Sequence, residues 1–227
     1  MATSDSSRTG RNYEQAPRLI VIRGNSASGK SSVASAIREK HGHRDLSIVS
    51  QDTLRRVVLR ERDVPGGANI GLIDLTTRYA ISCGFHVIVE GILRADHYGD
   101  MLTALIGDHP GRAFAYFLDV PFDETLRRHA TKAAAAAYGE AEMRGWYRGL
   151  DLLPGGIEQI IPAGSALEDT VRKVMTDTAL DSGRPPQRTE PGNTDHQRPA
   201  LRPAPAGLPA PGRLRRSADG RLPCEDR

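Results

Sequence analysis

The octet Gly24-Asn25-Ser26-Ala27-Ser28-Gly29-Lys30-Ser31 constrains this chain more than any other stretch. It fits G-x-x-x-x-G-K-[ST], a loop that cradles phosphate oxygens on backbone N–H groups. Such a loop works between a strand and a helix, because the helix N-terminus supplies free amides and the positive end of its dipole. The flanks agree. Leu19-Ile20-Val21-Ile22 is a short apolar run of the buried-strand type, and Ser32-Val33-Ala34-Ser35-Ala36-Ile37 continues as a helix. Gly24 and Gly29 permit backbone conformations that a Cβ forbids. Lys30 is expected beside the β- and γ-phosphates as a point charge, and the Ser31 hydroxyl as a Mg²⁺ ligand. The nucleotide-binding set comprises these eight residues with Ser32, whose own role is to pack or cap locally.

Composition separates a folded unit from two tails. Residues 1–16 are polar and Ser/Arg-rich, without the apolar core of a secretory signal. Residues 181–227 are rich in Pro, Arg, Gly and Ala and contain no Phe, Trp or Tyr. Such segments bury too little apolar surface to offset an ordering entropy of roughly 1–2 kcal/mol per residue. Both are expected to be disordered, which leaves 17–180 as the domain. The C-terminal segment holds nine Arg against six Asp and Glu, so the formal charge of +3 resides there, while residues 1–180 balance at 22 against 22. A neutral domain argues against a nucleic-acid-binding surface. Two cysteines without a C-x-x-C spacing suit a reducing cytoplasm, and no apolar run approaches the ~20 residues that span a bilayer.

Strand and helix signals alternate along 17–180. A second strand is expected at 46–50, a charged helix at 53–62 closed by Pro65-Gly66-Gly67, and a helix at 70–80. A third strand follows at 85–90, a helix at 95–107 and a fourth strand at 112–120. Pro121 opens a helix in its first turn and the helix runs into 133–137; a further helical piece covers 140–152. A fifth strand at 157–161 is stopped by Pro162, and Ser165-x-x-Glu168 reads as a capping box for a last helix ending near Leu180. Five strands alternating with helices make an α/β domain with a mostly parallel sheet covered on both faces. Ligands of such sheets bind at the carboxyl ends of the strands, where Lys30, Asp52, Glu90 and Asp119 should converge.

Four groups there can do chemistry. Asp52 could take a proton from an acceptor hydroxyl while Arg56, one turn on, holds the acceptor; Asp52 could equally N-cap the helix. Glu90 could hold Mg²⁺ through water or orient the acceptor. Asp119 could simply set up the next helix. Arg127, Arg128, Arg144 and Arg148 flank the small-residue stretch 133–139, as arginines of a mobile flap would, with Arg128 as a phosphate contact and Arg144 as a substrate contact. Trp146 and Tyr147 are expected to pack that flap down.

Taken together, the octet, Gln51-Asp52-Thr53-Leu54-Arg55-Arg56, Val87-Ile88-Val89-Glu90-Gly91-Ile92-Leu93 and Leu118-Asp119-Val120-Pro121 with its helix resemble small P-loop kinases of the nucleoside-monophosphate-kinase-like group. The resemblance covers 17–180. It implies a P-loop NTPase three-layer sandwich with a five-stranded parallel sheet of order 2-3-1-4-5, a helical lid after the fourth strand, and ATP with Mg²⁺ as phosphate donor. It also implies that the loop Pro162-Ala163-Gly164-Ser165 lies beside the adenine. Asp52 is similar to the acceptor-activating Asp of polynucleotide kinases and chloramphenicol-phosphotransferase-like enzymes. The expected activity is phosphorylation of a small-molecule hydroxyl by a monomer or dimer. A zeta-toxin-like or nucleic-acid end kinase, and a regulatory ATPase acting on a protein partner, are the alternatives.

Overall fold

In the computed structural model, which describes residues 16–131 and 138–180, five short apolar runs form one parallel sheet. The strands are β1 (Leu19–Gly24), β2 (Leu46–Ser50), β3 (His86–Glu90), β4 (Ala113–Asp119) and β5 (Glu158–Pro162). Their order is β2-β3-β1-β4-β5, with every pairing parallel. The helices between them are α1 (Lys30–His41), α2 (Ala68–Ser82), α3 (Ala95–Gly107), α4 (Phe122–Ala130), α5 (Glu140–Trp146) and α6 (Leu167–Asp177). Among the described residues no helix is long and apolar enough to cross a membrane.

Strand alternation splits the core in two. Ile20, Ile22, Ile88 and Tyr116 pack with α1 and α6 on one face; Leu19, Val21, Val87 and Val89 pack with α2 and α3 on the other. Because both faces are covered, β1 is buried along its whole length, which explains its unbroken apolar run.

Arg23 interrupts that run and is 0% exposed. Its guanidinium donates to both Glu158 oxygens at 2.9 Å, to Asp151 at 3.0 Å and to the Leu93 carbonyl at 2.8 Å. Asp151 and Glu158 in turn accept the backbone N–H groups of Ala95 and Leu153. One cation thus ties the central strand to β5 and to the segments after β3 and α5. Removing one partner of a buried pair strands the other charge, so Arg23→Leu should destabilise the fold by about 3–5 kcal/mol. Urea unfolding reads this as a lower midpoint; an unchanged midpoint would show the pair to be dispensable.

Several local expectations are corrected. Residues 53–62 do not form one helix: Thr53–Val58 is π-helical, and Arg60 leaves it at φ 52°. The chain breaks away because the Glu61 carboxylate caps α2, accepting the N–H groups of Ala68 and Asn69 at 2.7 and 2.8 Å. The hydrogen bond from the Asn69 side chain, above all, holds Glu61 below the usual carboxylate range. Helix α5 stops at Trp146 rather than running to 152, since Tyr147 turns extended and Arg148 is held elsewhere. The capping box at Ser165 does not form: Ala166 is the N-cap of α6, and Ser165 Oγ pairs with Thr170 Oγ1 at 2.9 Å. Pro121 precedes α4 as its N-cap, and α6 ends at Asp177. Helix α4 ends at Ala130, with Thr131 as its C-cap, short of the stretch 133–137 it was expected to enter. That stretch and the two tail assignments lie outside the described residues, save Ala16 at the edge of the first.

Candidate active site

Between β1 and α1 the chain must turn through a space that admits no side chain at its first position. Gly24 has φ 144°, and a Cβ there would lie 2.7 Å from the Leu118 carbonyl oxygen. Gly29 has φ 106° and N-caps α1 without a side-chain hydrogen bond. No acidic residue occupies the first turn of α1, so its free N–H groups and dipole remain available to an anion. Lys30, 7% exposed, folds over the loop and donates to the Asn25 carbonyl at 2.7 Å and to Ser28 Oγ at 3.4 Å. Ala27 takes the left-handed conformation at φ 59°.

Asn25 has a further task that its sequence position alone does not disclose. Its side chain accepts the Arg148 N–H at 2.9 Å and donates to the Arg148 carbonyl at 2.7 Å. The stretch after α5 is therefore clamped to the phosphate loop, and Ser26 meets the Tyr138 hydroxyl at 3.4 Å just before α5.

On the side of β2 and β3, Ser31 Oγ donates to Glu90 Oε2 at 2.9 Å. β1 and β3 are neighbours with Ile22 opposite Glu90, which brings the buried carboxylate to the loop. Gly91 follows because a Cβ there would lie 2.5 Å from Gln51. Gln51 is itself buried, donating to Tyr98 Oη at 2.8 Å and accepting the Leu93 N–H at 3.0 Å, so it fixes the ends of β2 and β3 together. Asp52 projects beyond it, its side chain 65% exposed, and pairs with Arg55 Nη2 at 3.2 Å and Arg56 Nε at 3.1 Å. Lys30, Ser31, Asp52, Arg56, Glu90 and Trp146 line a cavity of about 210 Å³.

Hard oxygen donors suit Mg²⁺, which takes one or two carboxylates and completes its shell with water and phosphate oxygens. The Ser31 hydroxyl beside the Glu90 carboxylate fits that role. Among the described residues no group of three His, Cys, Asp or Glu side chains is placed to hold a metal ion.

A larger cleft of about 610 Å³ opens on the opposite side of the loop, lined by Gly29, Ser32, Val33, Arg128 and the 162–166 turn. Arg128 reaches it from α4, with Nη1 3.2 Å from the Ser28 carbonyl oxygen. Glu124 holds Arg127 at 2.8 Å and Arg128 at 2.6 Å; these hydrogen bonds, Arg127's first, draw its carboxyl down to about 2. It stays ionised at neutral pH and keeps both arginines in place.

The remaining arginines point elsewhere. Arg144 pairs with Glu140 at 2.7 Å and lies 4.3 Å over the Phe122 ring. The Arg148 guanidinium donates to the carbonyls of Gly145 and Tyr147. Arg144, Arg148 and Asp119 line neither cavity. Tyr147 packs edge-on against Phe122, whereas Trp146 is 39% exposed and lines the smaller cavity.

No protein-family model matches this sequence, and no curated protein matches it. Solved structures do. The APS kinase of Mycobacterium tuberculosis, in complex with AMPPNP and APS, superposes with a TM-score of 0.53 at 19% identity, over 72% of this chain and 99% of that one. A gluconokinase from Sinorhizobium meliloti gives 0.51 at 18% identity, over 73% and 93%. What this chain shares with these two kinases is the fold, which here is a five-stranded parallel sheet of order 2-3-1-4-5 wrapped by helices.

Proposed function

We propose that this protein is an ATP-dependent kinase that transfers the γ-phosphoryl group of ATP to a hydroxyl of a small molecule. The observation that carries this reading is the division of the site by the phosphate loop. A large cleft suited to a nucleoside lies on one side, and a small cavity containing Asp52 and the Ser31–Glu90 pair lies on the other. A site built only to hydrolyse nucleotide has no use for a second walled chamber beyond the phosphates.

The loop amides and the α1 N-terminus bind the phosphates, and Lys30 moves from the Asn25 carbonyl to the β- and γ-oxygens. Ser31 and Glu90 would hold Mg²⁺, which neutralises charge between the β- and γ-phosphates. Asp52 accepts the acceptor's proton as its oxygen bonds to the γ-phosphorus. The bond from that phosphorus to the β–γ bridging oxygen breaks, and ADP leaves. Arg128 neutralises charge on the transferred group from the cleft side, and Arg56 steadies the acceptor. Arg144, ion-paired and stacked, takes its place as substrate contact only if the helix that carries it closes.

Mass spectrometry of a metabolite mixture incubated with the enzyme and Mg·ATP tests the reading. Gain of one phosphate by an alcohol, with ATP turnover that rises when that alcohol is supplied, is the expected result. Turnover indifferent to every acceptor but altered by a protein partner would replace the kinase with a regulatory ATPase.

A further inference from the structure

The smaller cavity has two unlike kinds of lining. Asp52, Glu90 and Arg56 supply charge; Trp146, Tyr138 and Ile92 supply ring and apolar surface. Tyr138 is stacked on His129 at 4.4 Å with 21° between planes, and Trp146 leans on Tyr138 at 5.0 Å. The Tyr138 hydroxyl rests on Ser26 of the loop, and His129 Nε2 pairs with the Tyr138 carbonyl at 2.8 Å. The indole is thus backed by a fixed aromatic column and still leaves 39% of its residue surface open. A large ring held rigid and presented to a concave site provides apolar contact at little conformational cost.

The cations on that side are already engaged. Arg56 is the arginine in the lining, and it pairs with Asp52. Lys30 serves the phosphate loop. A second anionic group on the acceptor would compete with Asp52 for Arg56 while facing the carboxylates of Asp52 and Glu90.

From these walls we infer the substrate class: an uncharged alcohol that carries a ring, stacked by its apolar face on Trp146 with its hydroxyl toward Asp52. The inference rests on the kinase reading and narrows it, excluding acceptors that already bear phosphate, sulfate or carboxylate.

Trp146 is the one tryptophan in the sequence, so its fluorescence reports this wall directly. The full chain, with AMPPNP and Mg²⁺, would be titrated with ring-bearing alcohols in matched neutral and anionic pairs, phenyl β-D-glucoside and phenyl β-D-glucuronide among them. The same set would be offered with ATP and read by mass spectrometry. Neutral members should change Trp146 emission and gain phosphate while their anionic partners do neither. Trp146→Leu should raise the acceptor KM at least about tenfold, and Trp146→Phe should recover part of it, with the loss in KM rather than kcat. Preference for the anionic partners, silence of Trp146 toward every neutral member, or an unchanged acceptor KM in Trp146→Leu would overturn the inference. The two readings fail separately. A Trp146 response without any phosphate transfer sinks the kinase and keeps the ring site; transfer to an anionic alcohol with Trp146 silent does the reverse.

Discussion

Replacing Asp52 with asparagine is expected to lower phosphoryl transfer by about 10²–10⁴-fold while ATP affinity stays near that of the native protein. Asparagine keeps the volume and one oxygen for Arg55 and Arg56, which now bond Asp52 at 3.2 and 3.1 Å. It cannot take up a proton in the transition state. The side chain is 65% exposed, so folding should not change. Asp52 also lines the smaller cavity and not the larger cleft, so nucleotide binding in the larger cleft should be spared. Single-turnover kinetics beside an ATP titration separate the two effects. Full transfer activity in the variant would remove Asp52 from the role of base, and a large fall in ATP affinity would assign it to the nucleotide instead.

Lys30→Ala should reduce transfer by about 10³-fold or more, because the lost charge acts on the phosphates where negative charge redistributes. The loop itself should survive. The Asn25 carbonyl that accepts Lys30 Nζ also accepts the Ser28 N–H at 3.2 Å, so it is not stranded when the ammonium goes. Melting without nucleotide should therefore match the native protein, while the rise produced by ATP should largely vanish, since a ligand stabilises only through the affinity it retains. An undiminished ATP-dependent rise would place the phosphates away from Lys30.

Much of the site was legible along the chain. The octet, its preceding apolar strand and its following helix are contiguous, and the demands of Gly24 and Gly29 are local backbone demands. Asp52 and Glu90 could be assigned to one rim because each follows an apolar strand run and parallel strands end on the same side. Arg23 was not legible. It stands among the apolar residues of β1, and its partners Asp151 and Glu158 lie more than a hundred residues away. Asn25 reads as one variable position of the motif, yet its amide ends a helix by holding Arg148.

Residues 53–62 carry the composition of a charged helix, and intrinsic preference is weak enough for one carboxylate of the segment itself to override it: Glu61 is needed at the start of α2. Ser165 has the right spacing to Glu168 for a capping box, but Thr170 takes its hydroxyl. Trp146 was expected to pack; it does so against Tyr138 but also lines the smaller cavity, 39% exposed.

The phosphate loop, the strand–helix alternation and the rim of acids follow from sequence order, since backbone sterics, helix dipoles and strand periodicity act over a few residues. The division of the rim into a larger cleft and a smaller cavity lined in part by aromatic rings does not follow from it. That division depends on which distant side chains meet across the loop, and only the closed chain, with its buried ions paired and its rings stacked, selects those partners.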